Sequence, residues 1–304
     1  MKALCLVTFA DCDNKVKSLE AAGFAVETRQ YDKSYFHGHM AIVDEAKNRI
    51  KPDFIVYIGA IPGPVHSVPT FGIFRQFRKI APLIHMCNDA GDAPWWPYLK
   101  AYNEEDCFDV QVAIDGSSSP INTFKNGIAL LTPIDCRPFE PKPWNERTTN
   151  MAMSSNAIGH GARGRVVQGL IDRRILTFRK GTNELHSYED YAQFLCNSKI
   201  VFNHPMTGSG DYQHVKGRVV EAGFAGACLL ERKGSPTSTW LLPGIDYLEY
   251  EDNDPDAVVA LMTNAGDTIL QQTAHNLHER VVRIHHPKVF WNAVLAKAGL
   301  PKEI

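Results

Sequence analysis

The feature that most constrains the fold is an alternation of short apolar runs with amphipathic stretches. In the first 133 residues the predicted strands are KALCLVTFA, FAVETRQYD, PDFIVYIGA, APLIHMCND, FDVQVAID and GIALLTP. Helical patterns such as NKVKSLEAAG, AIVDEAKNRI, TFGIFRQFRKI and WWPYLKAY separate most of them. Strands that alternate with helices predict a parallel sheet covered by helices on both faces.

A proline-rich segment, PIDCRPFEPKPWNE, interrupts this alternation, which then resumes from NMAMSSNA onwards. Its four prolines disfavour both helix and interior strand and are typical of an inter-domain connection. The sequence therefore predicts an α/β protein of two Rossmann-like domains facing a central cleft. We expect one domain over residues 1–137, a second over 138–286 and a closing helix over 287–304, which could cross back to the first domain.

Composition excludes several classes of protein. The 304-residue chain has 32 basic and 34 acidic residues and a formal net charge of −2, so its overall charge does not favour nucleic acid or anionic membranes. Its seven cysteines are scattered and include no C-x-x-C pair, which disfavours a disulfide framework and a zinc ribbon. No apolar stretch is long enough for a membrane span. These features predict a soluble cytoplasmic protein.

The stretch SNAIGHGARGRVVQGL holds Gly159, Gly161 and Gly164 in the spacing G-x-G-x-x-G, between a predicted strand and a predicted helix. Such glycines let backbone N–H groups approach a phosphate at a helix N-terminus, and Arg163 stands beside them. A dinucleotide site usually needs an acidic residue at the end of the next strand. That strand, RILTFRK, ends in basic residues instead, which leaves an NADP-dependent oxidoreductase as one alternative. Another is a tight turn with solvated arginines.

A second pattern lies in HVKGRVVEAGFAGACLLE, which predicts a helix from about His214. Val215, Val219 and Ala222 are spaced to form a buried face. A second stripe at the same spacing carries His214, Arg218 and Glu221. Periodicity alone favours a different interpretation of this stripe, an exposed Arg–Glu pair that contributes about a few tenths of a kcal/mol.

At this point the sequence resembles a known family. KGRVVEAGFAGACLLERKGS, the following LLPGIDYLEYED and the tail HERVVRIHHPKVFWNAVL are similar to the C-terminal half of retaining-type, group 1 glycosyltransferases of the GT-B fold, in particular their spore-protein (CgeB-like) branch. SYEDYAQFLCNSKIVFNH resembles the family segment just before this motif. The resemblance covers residues 150 to 295, and the first half agrees in architecture only.

The resemblance implies that residues 1–137 bind the acceptor and residues 138–286 bind the nucleotide-sugar, and it implies roles for individual residues. Glu221 matches the glutamate expected to hydrogen-bond the ribose of a nucleotide-sugar, and the resemblance implies a UDP- or GDP-sugar. Arg218 and Lys216, with His214 alongside, fall where groups near the diphosphate are expected, and Arg218 would stabilise the leaving nucleoside diphosphate. Gly159 and Gly161 match the glycine loop that admits the diphosphate.

One position departs from the family pattern. Related enzymes often carry a second glutamate eight residues before the first, and here that position is Gln213. A glutamine can hydrogen-bond sugar hydroxyls but cannot act as a carboxylate, so retention and inversion both stay open. The neighbouring Thr207, Gly208 and Ser209 are candidate donor-sugar contacts, with an ordinary polar turn as the alternative.

On the acceptor side, an inverting transferase needs a general base. HMCNDAGDAPWW follows a predicted strand and supplies His85, Asp89 and Asp92 as candidates, with two tryptophans that could stack on a sugar. Alternatively, Asp92 caps a helix and the tryptophans belong to the core. Two carboxylates alone are weak evidence for a metal, and the resembling fold generally works without one.

These observations together predict a glycosyltransferase of the hexosyl or pentosyl class that moves a sugar from a nucleotide-sugar to the hydroxyl of a glycan, a protein or another acceptor. A nucleic-acid acceptor is not expected, although the basic segment FRQFRK could serve one. Besides the oxidoreductase, a GT-B-like protein that binds a nucleotide or glycan without turnover remains an alternative.

Overall fold

The chain forms two compact units, which are described separately. A computed structural model describes residues 1–8, 13–31, 36–59, 71–87, 96–116, 120–155, 158, 161–180, 184–185, 187–206, 212–251 and 253–301. Unit 1 comprises residues 1–135 together with 287–304, and unit 2 comprises residues 136–286.

Unit 1 is built on a six-stranded parallel sheet with the order β2-β1-β3-β4-β5-β6. Its strands are β1 (Lys2–Val7), β2 (Ala25–Gln30), β3 (Phe54–Ile58), β4 (Leu83–Cys87), β5 (Val110–Ala113) and β6 (Gly127–Ala129). Its helices are α1 (Asp13–Ala21), α2 (Phe36–Glu45, continued by a π-helical turn over Ala46–Ile50), α3 (Phe71–Arg78) and α4 (Trp96–Glu104).

Both faces of this sheet are buried. Alternate residues of β1 enter different cores, with Cys5 in one cluster and Leu4 and Leu6 in the other. Helix α9 (Pro287–Lys297) belongs to unit 1 and packs with α1 on the Cys5 side. There the fully buried Trp291 donates from Nε1 to Ser18 Oγ over 3.1 Å. The last helix therefore completes the core of unit 1.

Unit 2 contains a five-stranded parallel sheet with the order β11-β10-β9-β7-β8. Its strands are β7 (Thr149–Ser155), β8 (Leu176–Lys180), β9 (Ser198–Phe202), β10 (Cys228–Arg232) and β11 (Leu248–Tyr250). Its helices are α5 (Gly161–Asp172), α6 (Tyr188–Cys196), α7 (Gly217–Phe224) and α8 (Pro255–Ile284). The two parallel sheets with interleaved helices confirm the predicted α/β class.

Helices α7 and α8 pack closely where α7 has a glycine. A Cβ added to Gly223 would lie 2.5 Å from Val281 Cγ2, so only glycine allows this approach. His278 on α8 also lies with Nδ1 2.9 Å from the Gly223 carbonyl oxygen. Helix α8 is interrupted at Gly266, whose φ of 62° and ψ of 171° fall outside the helical range. Glycine adopts this conformation readily because it has no Cβ.

Buried Arg147 fixes the proline-rich segment to the rest of unit 2. Its guanidinium donates to the carbonyl oxygens of Lys142 at 2.9 Å, Ser198 at 2.8 Å and Ala225 at 3.2 Å. These bonds join the segment to the start of β9 and the end of α7. Burial lowers the pKa of Arg147, so the three acceptors replace water around the charge.

Candidate functional site

The order of the sheet in unit 2 indicates where a ligand would bind. Strand β7 lies between β8 and β9, so the chain leaves β7 in one direction along the sheet and later continues in the other. Open α/β sheets bind ligands at the carboxyl ends of the strands beside such a reversal. In unit 2 this position is formed by Ser154 and Ser155 at the end of β7 and by Asn203, directly after β9.

Arg218 spans this point from the first turn of α7. Its Nη1 donates to Asn203 Oδ1 over 2.6 Å, and its Nη2 donates to the carbonyl oxygen of Ser154. The side chain thereby holds a positive charge between the ends of β7 and β9. Arginine suits such a place because its planar guanidinium carries several donors in a fixed geometry and stays charged.

Arg163, in the first turn of α5, brings a second guanidinium to the same end of the sheet. Its Nη2 donates to Ser155 Oγ over 2.6 Å. The pKa of Arg163 is lowered to about 10, mainly by burial and secondly by the positive charge of Arg218. Two partly buried like charges disfavour each other, and a bound anion would relieve this repulsion. The pair is therefore suited to a phosphate group.

Further basic groups surround this pair. Lys216 Nζ contacts Nε2 of the buried His214. His204 Nε2 lies 2.9 Å from Asn253 Oδ1. The pKa of His204 is lowered to about 4, mainly by burial and also by the charges of Arg163 and Lys216, although the hydrogen bond to Asn253 opposes the decrease. His204 is therefore neutral near pH 7, while the arginines and the lysine supply the positive charge.

Glu221 lies one turn beyond Arg218 on α7 and is 7% exposed. Two phenols of α6 hold its carboxylate: the Tyr191 hydroxyl donates to Oε2 over 2.6 Å and the Tyr188 hydroxyl to Oε1 over 3.5 Å. Burial, followed by the negative charge of Glu221, raises the pKa of Tyr191 well above its usual value, whereas Arg218 opposes the rise. Tyr191 is thus a fixed donor beside both groups.

Helix α7 begins three residues later than the sequence predicted. Lys216 is its N-cap with extended backbone, φ −70° and ψ 149°, and Gly217 is the first helical residue. A bridge between Met206 and Gln213 and a bond from His214 N to Pro205 O at 3.1 Å hold the preceding residues outside the helix. His214 and Val215 are buried but precede the helix. Arg218 and Glu221 lie on the helix.

Several predicted site residues lie outside the described residues. These are Gly159, Thr207, Gly208, Ser209, Asp89 and Asp92. Gly161 is described: it starts α5 with φ 58°, a backbone conformation that favours glycine, and it is exposed. The second glycine of the G-x-G-x-x-G pattern is thus needed at the helix N-terminus beside Arg163.

His85 lies in the interior of β4 and is 0% exposed. Its ring is stacked on Phe108, with centroids 4.7 Å apart, and also contacts Tyr57 and Tyr102. Burial lowers its pKa to about 3. This placement in an aromatic core favours a structural role for His85 over the catalytic role that the sequence suggested.

The basic segment FRQFRK is largely neutralised by acidic neighbours. Arg75 forms an ion pair with Glu105, and Arg78 pairs with Asp109 at 2.8 Å. These contacts leave less charge for a phosphate backbone than the sequence alone suggests. Over the described residues, no group of three or more His, Cys, Asp or Glu side chains is arranged to hold a metal ion.

Asn203, Tyr188 and Tyr191 belong to this site but were not predicted from the sequence. The tyrosines are spaced three residues apart in SYEDYAQF, a pattern that also fits ordinary helix packing. Asn203 directly follows a buried strand, and a polar residue at that position was the available signal. Their importance depends on α6, β9 and α7 meeting in space.

A family model matches much of unit 2. Residues 171–296 match the model of a family described as glycosyl transferase-like, and this segment contains β8 to β11 and the Arg218 and Glu221 positions. A search of curated protein sequences finds no match.

Solved structures extend the similarity to the whole chain. HepE of Anabaena, in complex with UDP and glucose, aligns with a TM-score of 0.61 at 11% identity over 97% of this chain and 100% of that one. Sucrose-phosphate synthase of Thermosynechococcus elongatus aligns with a TM-score of 0.58 at 13% identity over 98% of both chains. An alpha-glucosyltransferase in complex with UDP and a 13-mer DNA aligns with a TM-score of 0.61 at 9% identity over 98% and 99%.

These matches define the class of protein. The chain has the GT-B fold of nucleotide-sugar glycosyltransferases, with a glycosyl transferase-like domain over residues 171–296. The resemblance recognised in the sequence is confirmed at the level of a glycosyl transferase-like segment within a GT-B fold. Within the described segments, no helix combines the length and apolar character that a membrane crossing requires.

Proposed function

We propose that unit 2 binds UDP-glucose or a closely related UDP-hexose and that its basic site activates the nucleoside diphosphate as the leaving group. The observation that carries the proposal is the convergence of Arg163 and Arg218 at the end of β7. Their mutual repulsion favours an anion between them, and a diphosphate is the anion that a GT-B donor provides.

The proposed roles follow from chemistry and position. Arg218, Arg163 and Lys216 would bind the diphosphate and stabilise the negative charge that develops when the glycosidic bond breaks. Gly161 would bring the N-terminus of α5 close to the same phosphates. Glu221 would accept hydrogen bonds from the ribose hydroxyls, because an ionised carboxylate is an acceptor for two adjacent donors.

UDP is preferred over GDP because HepE and the alpha-glucosyltransferase are both seen with UDP. The glucose bound to HepE and the DNA bound to the alpha-glucosyltransferase are ligands of those two proteins. For this chain we propose a hexose donor and a non-nucleic-acid hydroxyl acceptor. The pairing of Arg75 and Arg78 with acidic side chains supports the second point.

The remaining predicted residues keep their proposed roles from sequence. Thr207, Gly208 and Ser209 would contact the donor sugar together with Gln213, and His214 would support Lys216. Asp89 or Asp92 of unit 1 would orient or deprotonate the acceptor hydroxyl. We propose unit 1 as the acceptor-binding unit and a cytoplasmic protein that works without a metal.

An NADP-dependent oxidoreductase has less support. That function would use Arg179 at the end of β8 to bind a 2′-phosphate. In unit 2 the Arg179 guanidinium lies over the ring of Phe194, 5.2 Å from its centroid. This stacking already engages the side chain.

Calorimetry with UDP, GDP, ADP, CDP, dTDP and NADPH tests the proposal, followed by product analysis with UDP-glucose. We expect binding of UDP, and Arg218→Ala should weaken it by about 10- to 100-fold because hydrogen bonds to a charged group are lost. Arg173→Ala is the matched control, since exposed Arg173 of the same unit pairs with Asp256 instead. Binding of NADPH without any nucleoside diphosphate would disprove the proposal.

A further inference from the structure

Among the described residues of unit 2, Glu231 is a buried carboxylate that the proposed function does not use. Glu231, near the end of β10, is 0% exposed. Burial raises its pKa to about 7, although three hydrogen bonds and the charge of Arg218 oppose the rise. Burying an ionisable carboxyl group destabilises the fold unless hydrogen bonds compensate. The groups that bond to Glu231 therefore indicate its role.

All three hydrogen bonds to Glu231 are donated by its neighbours. Asn203 Nδ2 donates to Oε2 over 2.6 Å, and Thr237 Oγ1 donates to the same oxygen over 3.1 Å. The Arg232 backbone N–H donates to Oε1 over 3.0 Å. Ser235 Oγ in turn donates to Thr237 Oγ1 over 3.0 Å. The carboxylate therefore acts only as an acceptor and is fixed in place.

Asn203 is the link between Glu231 and the anion site. A guanidinium can only donate and an ionised carboxylate can only accept, so an amide between them has one favourable orientation. Its oxygen must face Arg218, at 2.6 Å, and its NH₂ group must face Glu231. Rotating the amide by 180° would place two donors together on one side and two acceptors on the other. The charge of Glu231 thus selects the orientation that receives Arg218.

The geometry points to Glu231 as a positioning residue that acts through Asn203 to hold the Arg218 guanidinium ready for the diphosphate. This inference rests on the proposed function, because it assigns Glu231 a role in the same site. Holding a long side chain before the ligand arrives reduces the ordering that binding would otherwise require. Glu231 need not touch the ligand for this role.

An exchange of the two side-chain types tests the mechanism. In Glu231→Gln the new NH₂ group faces Asn203 or Arg232 N, both of which are donors, so Arg218 loses its fixed acceptor. In Asn203→Asp two carboxylates face each other. In the double variant Asn203→Asp/Glu231→Gln, the glutamine donates to the aspartate, whose other oxygen accepts from Arg218. The donor and acceptor order is restored with the same total charge.

The measurement is UDP affinity by calorimetry at pH 8, with thermal melting to establish folding. Each single variant should bind UDP about tenfold more weakly, and the double variant should recover to within about threefold of the wild type. Glu251→Gln is the control for lost charge, because exposed Glu251 pairs with Lys233 and should leave UDP affinity unchanged. In an Arg218→Ala background, Glu231→Gln should cause no further loss.

Wild-type affinity in Glu231→Gln, or no recovery in the double variant, would overturn the inference. If Glu231→Gln does not fold, Asn203→Ala gives the same decision, since it removes the link and leaves the other two donors on Glu231. Failure of the proposed function is distinguishable: the wild type itself would then bind no UDP. Binding by the wild type that depends on Arg218 but not on Glu231 would reject only the inference.

Discussion

The hydroxyl of Tyr191 donates a 2.6 Å hydrogen bond to the carboxylate of Glu221, whereas the hydroxyl of Tyr188 on the same helix lies 3.5 Å from it. Both tyrosines belong to α6, so the helix presents one strong and one weak donor to a single acid. This difference provides a matched pair of variants for the proposed ribose contact.

Tyr191→Phe should weaken UDP binding by about three- to tenfold, because the buried carboxylate loses a good hydrogen bond and becomes less well oriented. Tyr188→Phe should change it by less than about twofold, since a 3.5 Å contact contributes little. The measurement is calorimetry with UDP and with 2′,3′-dideoxy-UDP. The Tyr191 effect should appear with UDP only, and equal losses with both ligands would contradict the ribose assignment of Glu221.

The fold was largely predictable because each element has a local signal. Apolar β-branched runs mark the strands of both sheets, and Gly23, with φ 99°, ends the first helix region as the sequence indicated. The start of α7 was not predictable in the same way. The periodicity of HVKGRVVEAG continues through His214, and only the contact of His214 N with Pro205 O, nine residues earlier, keeps that residue outside the helix.

The site was predictable only where one residue carries its own signal. Arg218 and Glu221 were recognised from their motif, and α7 does carry both. Tyr191 and Glu231 were not, because their roles depend on contacts with residues 30 and 28 positions away along the chain. For His85 the sequence suggested a catalytic role, because a histidine near the end of a predicted strand can reach a ligand. In this parallel sheet both faces of the strand are buried, and His85 lies in the core.

The Arg163 and Arg218 pair predicts opposite effects on stability and on binding. Arg163→Met should leave the ligand-free protein as stable as the wild type or more stable by about 1 kcal/mol, because it removes a partly buried charge whose pKa is lowered by burial and by Arg218. The same variant should weaken UDP binding by about tenfold or more. Denaturant unfolding with and without UDP measures both quantities.

The control for Arg163→Met is Arg173→Met, which removes a charge at the other end of the same helix region, where Arg173 pairs with exposed Asp256. It should alter neither the stability by more than about 0.5 kcal/mol nor the UDP affinity. A ligand-free Arg163→Met protein that is much less stable than the wild type would show that Arg163 is mainly a structural residue.

Buried His85 predicts loss of stability in acid. Burial lowers its pKa from 6.5 to about 3 in the folded chain, so the unfolded chain binds an extra proton between these values. The stabilising contribution is complete above pH 6.5 and falls by roughly 1.4 kcal/mol per pH unit as the pH decreases from 6.5 towards 3. His85→Phe removes this linkage and should flatten the acid limb of a stability profile.

The measurement is the free energy of unfolding at pH 7.5, 6 and 5 for the wild type, His85→Phe and His275→Gln. His275 is an exposed residue of α8, and its variant should follow the wild type. Glu231 acts in the opposite direction, because its raised pKa favours the fold below about pH 4.5 and this contribution is lost as the pH rises through about 7. The contribution of Glu231 is the same in all three proteins, so the difference between their stability profiles reports on His85 alone. Parallel profiles for the wild type and His85→Phe would reject the linkage.

The proposed acceptor base makes the last prediction, since binding and turnover separate in a two-unit transferase. If Asp89 or Asp92 deprotonates the acceptor, then Asp89→Asn or Asp92→Asn should lower kcat by about 100-fold or more, while the affinity for UDP in unit 2 stays unchanged.

Asp109→Asn is a poor control because Asp109 pairs with Arg78, whereas Asp44→Asn changes an exposed carboxyl of α2 and should leave kcat unaltered. Turnover of UDP-glucose by water alone should persist in both variants if only acceptor activation is lost. Full transfer activity in both variants would place the base elsewhere or indicate a retaining reaction that needs none from unit 1.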